Sequence, residues 1–243
     1  MSRSEPGSPT SSEGFWEPLH ADAPEPAEAP RVNVVLTELL AEHGLSPGRV
    51  LDLGAGGGGD TLWFATRGWQ VTAVDVSPTA VRRIRTLAAL QGTQDHIRGM
   101  ALDVSRSLPA ITVDLVSACY FHSPVEFDRA AVLRQAADLM GIGGTLVVVD
   151  HASTAPWSWA TPDTQYPSPE QTWAAIGLDE DWTPLTVTAR ERLATGPHGE
   201  QAMVTDNIIV ARRTDEQPFS ARAEQEVAAL RAKPYEESPV SGW

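Results

Sequence analysis

The sequence predicts an α/β fold: a doubly wound sheet of seven strands, mostly parallel, that ends in an antiparallel hairpin. From Arg31 onward, short apolar segments alternate with segments of helical apolar spacing. This alternation is typical of parallel strands joined by right-handed helical crossovers. After five such units, two strand-like segments flank the turn Thr195-Gly196-Pro197-His198-Gly199, which indicates a hairpin.

The predicted parallel strands are almost continuously apolar, because a central parallel sheet is buried on both faces. In chain order we predict strands at 49–53, 70–75, 99–104, 113–120 and 145–150, then hairpin strands at 185–193 and 201–212. Helices are predicted at 34–40, 60–67, after Ser77-Pro78, at 130–140 and at 168–176, with a turn at 141–144. Ser77 is placed as an N-cap and Pro78 at the first helical position, which favours a helix start there.

Composition divides the chain into three parts. Residues 1–30 are polar and rich in proline, which argues against a long helix, so we predict a mostly disordered arm. Within it, the aromatic and acidic segment 15–20 is expected to dock as a lid. Residues 31–213 form the predicted globular domain, and 214–243 a C-terminal appendix with a short helix and a disordered tail.

Charge and composition narrow the partners and the compartment. The formal net charge of −14 disfavours a nucleic acid or a membrane surface, because phosphates attract Lys and Arg, although solubility alone also explains it. No apolar run approaches the roughly 20 residues of a membrane helix, and residues 1–13 lack the apolar stretch of a secretory signal. Cys119 is the only cysteine, which excludes an intrachain disulfide and a Cys-based zinc cluster. We expect a cytoplasmic protein without a metal that acts on a small molecule.

The glycine run Gly54-Ala55-Gly56-Gly57-Gly58-Gly59 stands between the first predicted strand and the next helix. Glycines there let the backbone approach a ligand closely, and the helix N-terminus adds the positive end of its dipole. The run fits two patterns. Gly54, Gly56 and Gly59 satisfy the dinucleotide pattern G-x-G-x-x-G, and Gly54, Gly56 and Gly58 satisfy the G-x-G of methyltransferases that use S-adenosylmethionine (SAM).

Three carboxylates around the glycine run help to separate these alternatives. Asp75 ends the second strand, where it can accept hydrogen bonds from the ribose hydroxyls of either cofactor. Asp52 lies inside the first strand, where dinucleotide enzymes usually have an apolar residue, and a carboxylate there suits the ammonium and sulfonium of SAM. Asp103 ends the third strand, where it can accept a hydrogen bond from the adenine amino group or serve as a turn residue. Together they favour SAM.

With these residues the chain resembles the class I SAM-dependent methyltransferases, which have a Rossmann-like fold. Residues 50–58 resemble their first motif, 74–77 their second and 102–104 their adenine motif, while 113–118 and 140–146 resemble the motifs around strands four and five. Phe15-Trp16-Glu17 and the closing hairpin resemble the tellurite-resistance and thiopurine-type group of small-molecule methyltransferases. The likeness covers about 15–213, and it specifies the cofactor rather than the acceptor.

The resemblance implies a SAM site residue by residue. Gly54 and Gly56 would pass under the methionine moiety, Asp75 would bind the ribose, and Val76 would pack against the adenine. Asp103 and Val104 would hold the adenine edge, and the carbonyl of Ala118 would accept a hydrogen bond from the SAM ammonium. The expected cofactor residues are Asp52, Gly54, Gly56, Gly58, Asp75, Val76, Asp103, Val104 and Ala118.

Residues for the methyl acceptor are expected beyond the carboxyl ends of the strands, where doubly wound sheets bind ligands. Methyl transfer from a sulfonium is an in-line displacement, so a general base is needed only for a protonated acceptor. His122 after strand four and His151 after strand five are the candidate bases, although each also fits an ordinary polar loop residue. Aromatic residues in otherwise polar segments predict a lid: Phe15, Trp16, Trp157, Trp159 and Tyr166.

Other functions fit part of the sequence. An NAD-dependent oxidoreductase shares the glycine run and Asp75, but it calls for a sixth parallel strand or a second substrate domain. A SAM-binding protein that does not methylate is excluded by no residue. The acceptor atom, whether O, N, S or C, is not specified, and a homodimer with a swapped C-terminal helix is a further alternative.

Overall fold

The computed structural model describes residues 10–25, 30–158, 160 and 163–214. Over this part the helices are α1 (Ser12–Asp22), α2 (Val34–Glu42), α3 (Gly59–Thr66), α4 (Pro78–Gln91), α5 (Arg129–Ala137) and α6 (Pro169–Ile176). The strands are β1 (Arg49–Leu53), β2 (Gln70–Asp75), β3 (Ile97–Ala101), β4 (Val113–Cys119), β5 (Met140–His151), β6 (Trp182–Thr195) and β7 (Gln201–Arg213).

The seven strands form one sheet in the order β3-β2-β1-β4-β5-β7-β6. Strands β1 to β5 pair in parallel, whereas β7 pairs antiparallel with both β5 and β6. The predicted fold class is confirmed, including the closing hairpin. Because the strand order reverses between β1 and β4, the connections after these strands leave in opposite directions and open a crevice at their carboxyl ends.

The core lies on both faces of the sheet, as the continuous apolar strands predict. Neighbouring residues of β1 point to opposite faces, so Val50 packs with Leu36 of α2 and Phe64 of α3. Leu51 packs on the other face with Leu133 of α5. Burial on both faces holds the carboxyl end of β1 rigidly in the centre of the crevice.

Two of the differences in strand boundaries, at the end of β3 and the start of β5, are the most informative. Strand β3 ends at Ala101, so Asp103 lies in the following loop rather than on the strand. Strand β5 begins at Met140 and contains the predicted turn 141–144. Met140 pairs with Val113, and Thr145 pairs with Leu115. An advance of five residues along β5 is therefore matched by an advance of two residues along β4. The extra residues are accommodated as an irregularity within the strand, which sequence periodicity does not reveal.

The N-terminal arm also differs, because residues 12–22 form helix α1. Ser11 caps this helix by accepting a hydrogen bond from the Gly14 amide at 3.0 Å. Pro18 lies inside the helix and removes one backbone hydrogen bond, a cost of about 3 kcal/mol. Contacts with the rest of the molecule therefore stabilise α1. The appendix from 215 onward, and residues 1–9 and 26–29 of the arm, lie outside the described residues.

Alanine substitutions at Gly58, in the turn before α3, and at Gly68 should lower the stability of the protein by different amounts. Gly58 and Gly68 have nearly equal φ angles, +85° and +84°. A Cβ at Gly58 would lie 2.6 Å from Ile84 Cγ1, whereas a Cβ at Gly68 would have none of the described atoms within 4 Å. Both Ala substitutions should cost about 1 kcal/mol for the left-handed backbone, and Gly58→Ala about 1–3 kcal/mol more for the collision. Denaturant unfolding of the ligand-free variants measures this, and equal losses would contradict it.

Candidate active site

A cavity of about 450 Å³ lies at the carboxyl ends of β1, β2 and β4, where the strand order reverses. We call it the main cavity. Its walls are the glycine run, the ends of these strands, the loops after β3 and β4, and one face of α1. Of the expected cofactor residues, the following line it: Asp52, Gly54, Gly56, Gly58, Asp75, Val76, Asp103 and Val104.

The glycine run is held against β2 by its backbone. The amides of Gly54 and Ala55 both donate to the carbonyl oxygen of Val74, at 2.9 and 3.0 Å. The Gly58 amide donates to Ala55 O at 2.8 Å, which closes the turn before α3. Gly58 is the N-cap of α3 and contributes no side-chain hydrogen bond there. The positive end of the α3 dipole thus meets the cavity without a side-chain cap.

The carboxylate of Asp75 is fixed at the centre of one wall. Its Oδ2 accepts a hydrogen bond from the Gly56 amide, and its Oδ1 accepts one from the Ser77 amide, both at 2.8 Å. The residue is 8% exposed, so the two amides satisfy it in place of bulk water. A carboxylate has about four acceptor positions, which leaves capacity for ligand hydroxyls on the cavity side.

Two further carboxylates make the main cavity acidic. Asp52 is buried and accepts a hydrogen bond from Thr61 Oγ1 at 2.5 Å. Burial, and then the charge of Asp60, raise the pKa of Asp52 to about 7. Burial also raises the pKa of Asp60, although the Asn33 amide donates to its Oδ1 at 2.7 Å. A cation in this cavity would relieve the repulsion and favour the charged carboxylates.

Asp103 lines the cavity from a loop and already has partners there. Its Oδ1 accepts hydrogen bonds from the Ser105 amide at 3.1 Å and the Ser105 hydroxyl at 2.6 Å. Arg106 Nε lies 3.3 Å from its Oδ2. The side chain therefore shapes the loop, and its contact with an adenine stays a prediction.

Ala118 is fully buried in β4 and is not among the residues lining the main cavity, so the contact of its carbonyl with the SAM ammonium stays a prediction. It pairs with Val148 of β5, and the lining begins one residue later, at Cys119. Burial raises the pKa of its thiol well above the usual range, followed by the charges of Asp60 and Asp52, so the thiol stays protonated.

The two candidate bases occupy different places. His122 lines the main cavity, and its Nε2 lies 3.3 Å from Asp150 Oδ1, which also accepts a hydrogen bond from Arg129 Nη2 at 2.6 Å. His151 is absent from the lining and stacks on Tyr120 with ring centroids 4.1 Å apart. Burial, and then His122, lower the pKa of His151, which keeps it neutral. Only His122 borders the expected cofactor space.

Of the predicted lid aromatics that the structure describes, one lines the main cavity, and the lid itself stays a prediction. Trp16 lines the main cavity, whereas Phe15 packs edge-on against Trp16 with ring centroids 5.0 Å apart. Trp157 lies against the hairpin turn, within 2.7 Å of where a Cβ of Gly196 would be. Tyr166 lies beside His151, with ring centroids 6.2 Å apart. Trp159 lies outside the described residues.

Tyr120 has a role that sequence reasoning did not detect. Its φ of 51° is left-handed, which is uncommon for a residue other than glycine. Its hydroxyl donates to Asp206 Oδ1 at 3.0 Å and accepts from Arg192 Nη2 at 2.9 Å. Arg192 also pairs with Asp206 at 2.5 Å. This network ties the loop that carries His122 to the closing hairpin, and its members are too far apart in sequence to form a motif.

No helix in the described ranges is long and apolar enough to cross a membrane. Within those same ranges, no group of three or more His, Cys, Asp or Glu side chains is arranged to hold a metal ion.

Sequence relatives of known activity are methyltransferases. Residues 51–146 match the family model of a methyltransferase domain. Ribosomal RNA small subunit methyltransferase C of Alcanivorax borkumensis is 40% identical over 68 residues, 28% of this chain and 21% of that protein. Ubiquinone biosynthesis O-methyltransferase of Xanthomonas campestris is 32% identical over 136 residues (55% and 52%), and tRNA 5-carboxymethoxyuridine methyltransferase of Escherichia coli is 34% identical over 116 (46% and 43%). The chain spans about half or less of the length of these relatives.

Solved structures share the fold. One, from work on the conversion of a disulfide bond into a thioacetal group during echinomycin biosynthesis, has a TM-score of 0.61 at 20% identity and covers 93% of this chain and 99% of that chain. TehB from Haemophilus influenzae has a TM-score of 0.56 at 17% identity (75% and 63%), and the [4+2]-cyclase SpnF 0.58 at 19% (86% and 98%). At these identities the likeness shows the fold alone. Within this shared fold, residues 51–146 match the model of a methyltransferase domain, which agrees with the resemblance of the sequence motifs to class I SAM-dependent methyltransferases.

Proposed function

We propose that this chain transfers a methyl group from SAM to the O, N or S nucleophile of a small-molecule acceptor by in-line displacement. The observation that carries the proposal is the chemistry of the main cavity, which holds Asp75, fixed by two amides, together with the buried pair Asp52 and Asp60. Asp75 suits the ribose hydroxyls of SAM, and the acidic pair suits its ammonium and sulfonium.

The acceptor space is proposed to adjoin His122. A second cavity of about 250 Å³ lies between α5, α6 and the end of β5, and His122 lines both cavities. The apolar side chains of Leu133 and Ile176 form one part of its lining, and Arg129, Asp150 and the histidines form another. Since each water takes up about 30 Å³ of liquid, this space suits a small molecule of a few functional groups.

His122 is proposed as the general base for an acceptor that carries a proton. Its Nε2 lies 3.3 Å from Asp150 Oδ1, and a neighbouring carboxylate commonly orients the imidazole of a catalytic histidine. Arg129 neutralises much of the charge of Asp150, so the space beside His122 carries no strong net charge. This arrangement suits a neutral acceptor, such as a phenol or an amine in its neutral form.

The relatives do not indicate whether the acceptor is a small molecule or a nucleic acid. Their names refer to ubiquinone biosynthesis, ribosomal RNA and tRNA. The net charge of −14 supports a small molecule, because it opposes a polyanion.

A SAM-binding protein that does not methylate is the second candidate, because the [4+2]-cyclase SpnF shares this fold over most of both chains. If this chain is such a protein, it should bind SAM tightly and form no methylated product. The oxidoreductase alternative loses support, since the strand after β5 in the sheet is the antiparallel β7 rather than a sixth parallel strand.

Cofactor binding should depend on Asp75. Asp75→Asn removes a charged acceptor, and hydrogen bonds to charged groups contribute about 1.5–3 kcal/mol, so the affinity for S-adenosylhomocysteine should fall about 10- to 100-fold. Calorimetric titration measures this. Asp114→Asn, which alters a surface ion pair with Arg49, is the control and should keep the wild-type affinity. NAD binding in place of S-adenosylhomocysteine would refute the cofactor assignment.

The affinity for SAM should depend on pH through Asp52. Its pKa is raised from the usual 3.8 to about 7, so the folded protein binds this proton more tightly than the unfolded chain does. The resulting gain in the free energy of unfolding is present at low pH and is lost as pH rises toward 7. A cationic ligand favours the ionised form, so SAM should bind more tightly as pH rises from about 6 to about 8. Titrations with wild type and Asp52→Asn test this, and an unchanged pH dependence in the variant would contradict it.

The acceptor space can be tested with two matched pairs. Ala175→Phe should fill the second cavity, and His122→Ala should remove the base. Both variants should methylate phenol, thiol, amine or carboxylate probes at least about tenfold more slowly than wild type. Both should still bind S-adenosylhomocysteine. Ala174→Phe on the same helix and His198→Ala in the hairpin turn are the controls. Wild-type turnover in Ala175→Phe would refute this acceptor space, and absence of product with every probe would favour the non-methylating candidate.

A further inference from the structure

Helix α1 bridges two walls of the main cavity. At one end, Ser12 Oγ lies 3.4 Å from Ser123 Oγ in the loop after β4. Toward its other end, Glu17 reaches the start of α4. Ser12, Trp16 and His20 are spaced four residues apart, so they share one helix face, and all three line the cavity. The helix thus covers the cavity and is attached on both sides.

The attachment to α4 is made by a carboxylate. Glu17 Oε1 accepts a hydrogen bond from Thr79 Oγ1 at 2.7 Å. Its Oε2 accepts from Ser77 Oγ at 2.5 Å and from the Thr79 amide at 3.2 Å. These bonds lower the pKa of Glu17, with Ser77 contributing most, so the carboxylate is charged. A negative charge at this helix N-terminus is also favoured by the dipole.

Ser77 connects this attachment with the cofactor wall. Its side chain donates to Glu17, while its backbone amide donates to Asp75 Oδ1 at 2.8 Å. The other carboxylate oxygen of Asp75 accepts from Gly56 in the glycine run at 2.8 Å. One buried residue therefore holds both the carboxylate of α1 and the carboxylate proposed to bind the ribose.

Helix α1 depends on these contacts for its own formation. It has 11 residues, contains Pro18, and has no fully buried residue. A helix this short is marginal in water without tertiary contacts, and the proline weakens it further. The segment that follows is held separately, since Arg82 pairs with Glu25 at 3.0 Å and Arg83 donates to Ala23 O. Removing the Glu17 carboxylate would therefore undock the helix without releasing the whole arm.

We propose that Glu17 is a positioning residue that couples the docking of α1 to cofactor binding. The N-terminal turn of α4 orients Asp75 and holds Glu17 through the same residue, Ser77. The cofactor binds with full affinity only while α1 is docked, and the bound cofactor in turn stabilises the docked helix. This inference rests on the proposed function, because it takes the cofactor to be SAM.

The test compares Glu17→Ala with Glu13→Ala in the full chain. Glu13 is exposed on the same helix, and either change places alanine, a good helix former, in α1. The probe is S-adenosylhomocysteine, and the readouts are its affinity by calorimetry and the hydrogen-exchange protection of residues 12–22 with and without it. Glu17→Ala should weaken binding about tenfold, which is about 1.4 kcal/mol, whereas Glu13→Ala should bind as wild type does. Thr79→Val, which removes one hydroxyl and leaves the Ser77–Asp75 bond, should have a smaller effect in the same direction.

Reciprocity separates coupling from a merely structural role. If docking of α1 and cofactor binding are coupled, Glu17→Ala lowers two quantities by the same factor. These are the affinity for S-adenosylhomocysteine and the increase in hydrogen-exchange protection of α1 that this ligand causes. Glu17→Ala with wild-type affinity would overturn the inference, and so would a lower melting temperature with unchanged affinity and protection. If wild type itself fails to bind S-adenosylhomocysteine, the proposed function fails first, and the coupling falls with it.

Discussion

The carboxylate of Asp75 accepts one amide hydrogen from the glycine run and one from the start of α4, so two walls of the main cavity are built around a single buried anion. The same turn of α4 carries Ser77, whose hydroxyl holds helix α1 through Glu17. The crevice exists because the strand order reverses between β1 and β4. The sheet therefore opens the space, and these hydrogen bonds give it its shape.

The acidity of the main cavity is costly to the free protein and useful to a cationic ligand. Burial raises the pKa of both Asp52 and Asp60, and the charge of Asp60 adds to the rise at Asp52, whose pKa reaches about 7. Burial of like charges lowers stability unless a counter-charge is present. A sulfonium and an ammonium would supply that counter-charge, so the acidity of the free site is consistent with a cationic cofactor.

Most of the regular fold was predictable because burial dictates apolar periodicity. The bounds of β1 and β2 match the prediction, and Ser77 caps α4 as expected. The start of β5 was not predictable, because its irregular pairing with β4 is decided between strands rather than along one. Helix α1 was missed because Pro18 opposes it locally and its hydrogen bonds to α4 come from residues about 60 positions away.

The sequence by itself determined the fold class and the cofactor motifs, because glycines, strand-end carboxylates and apolar strands act through local geometry and burial. The tertiary structure decided which residues meet at the acceptor end. It brought His122 to Asp150 and moved His151 away from the main cavity, and it left Trp16 as the one expected lid aromatic lining that cavity within the described chain. These outcomes depend on how loops, hairpin and α1 pack against one another across long sequence distances, and no local pattern encodes such packing.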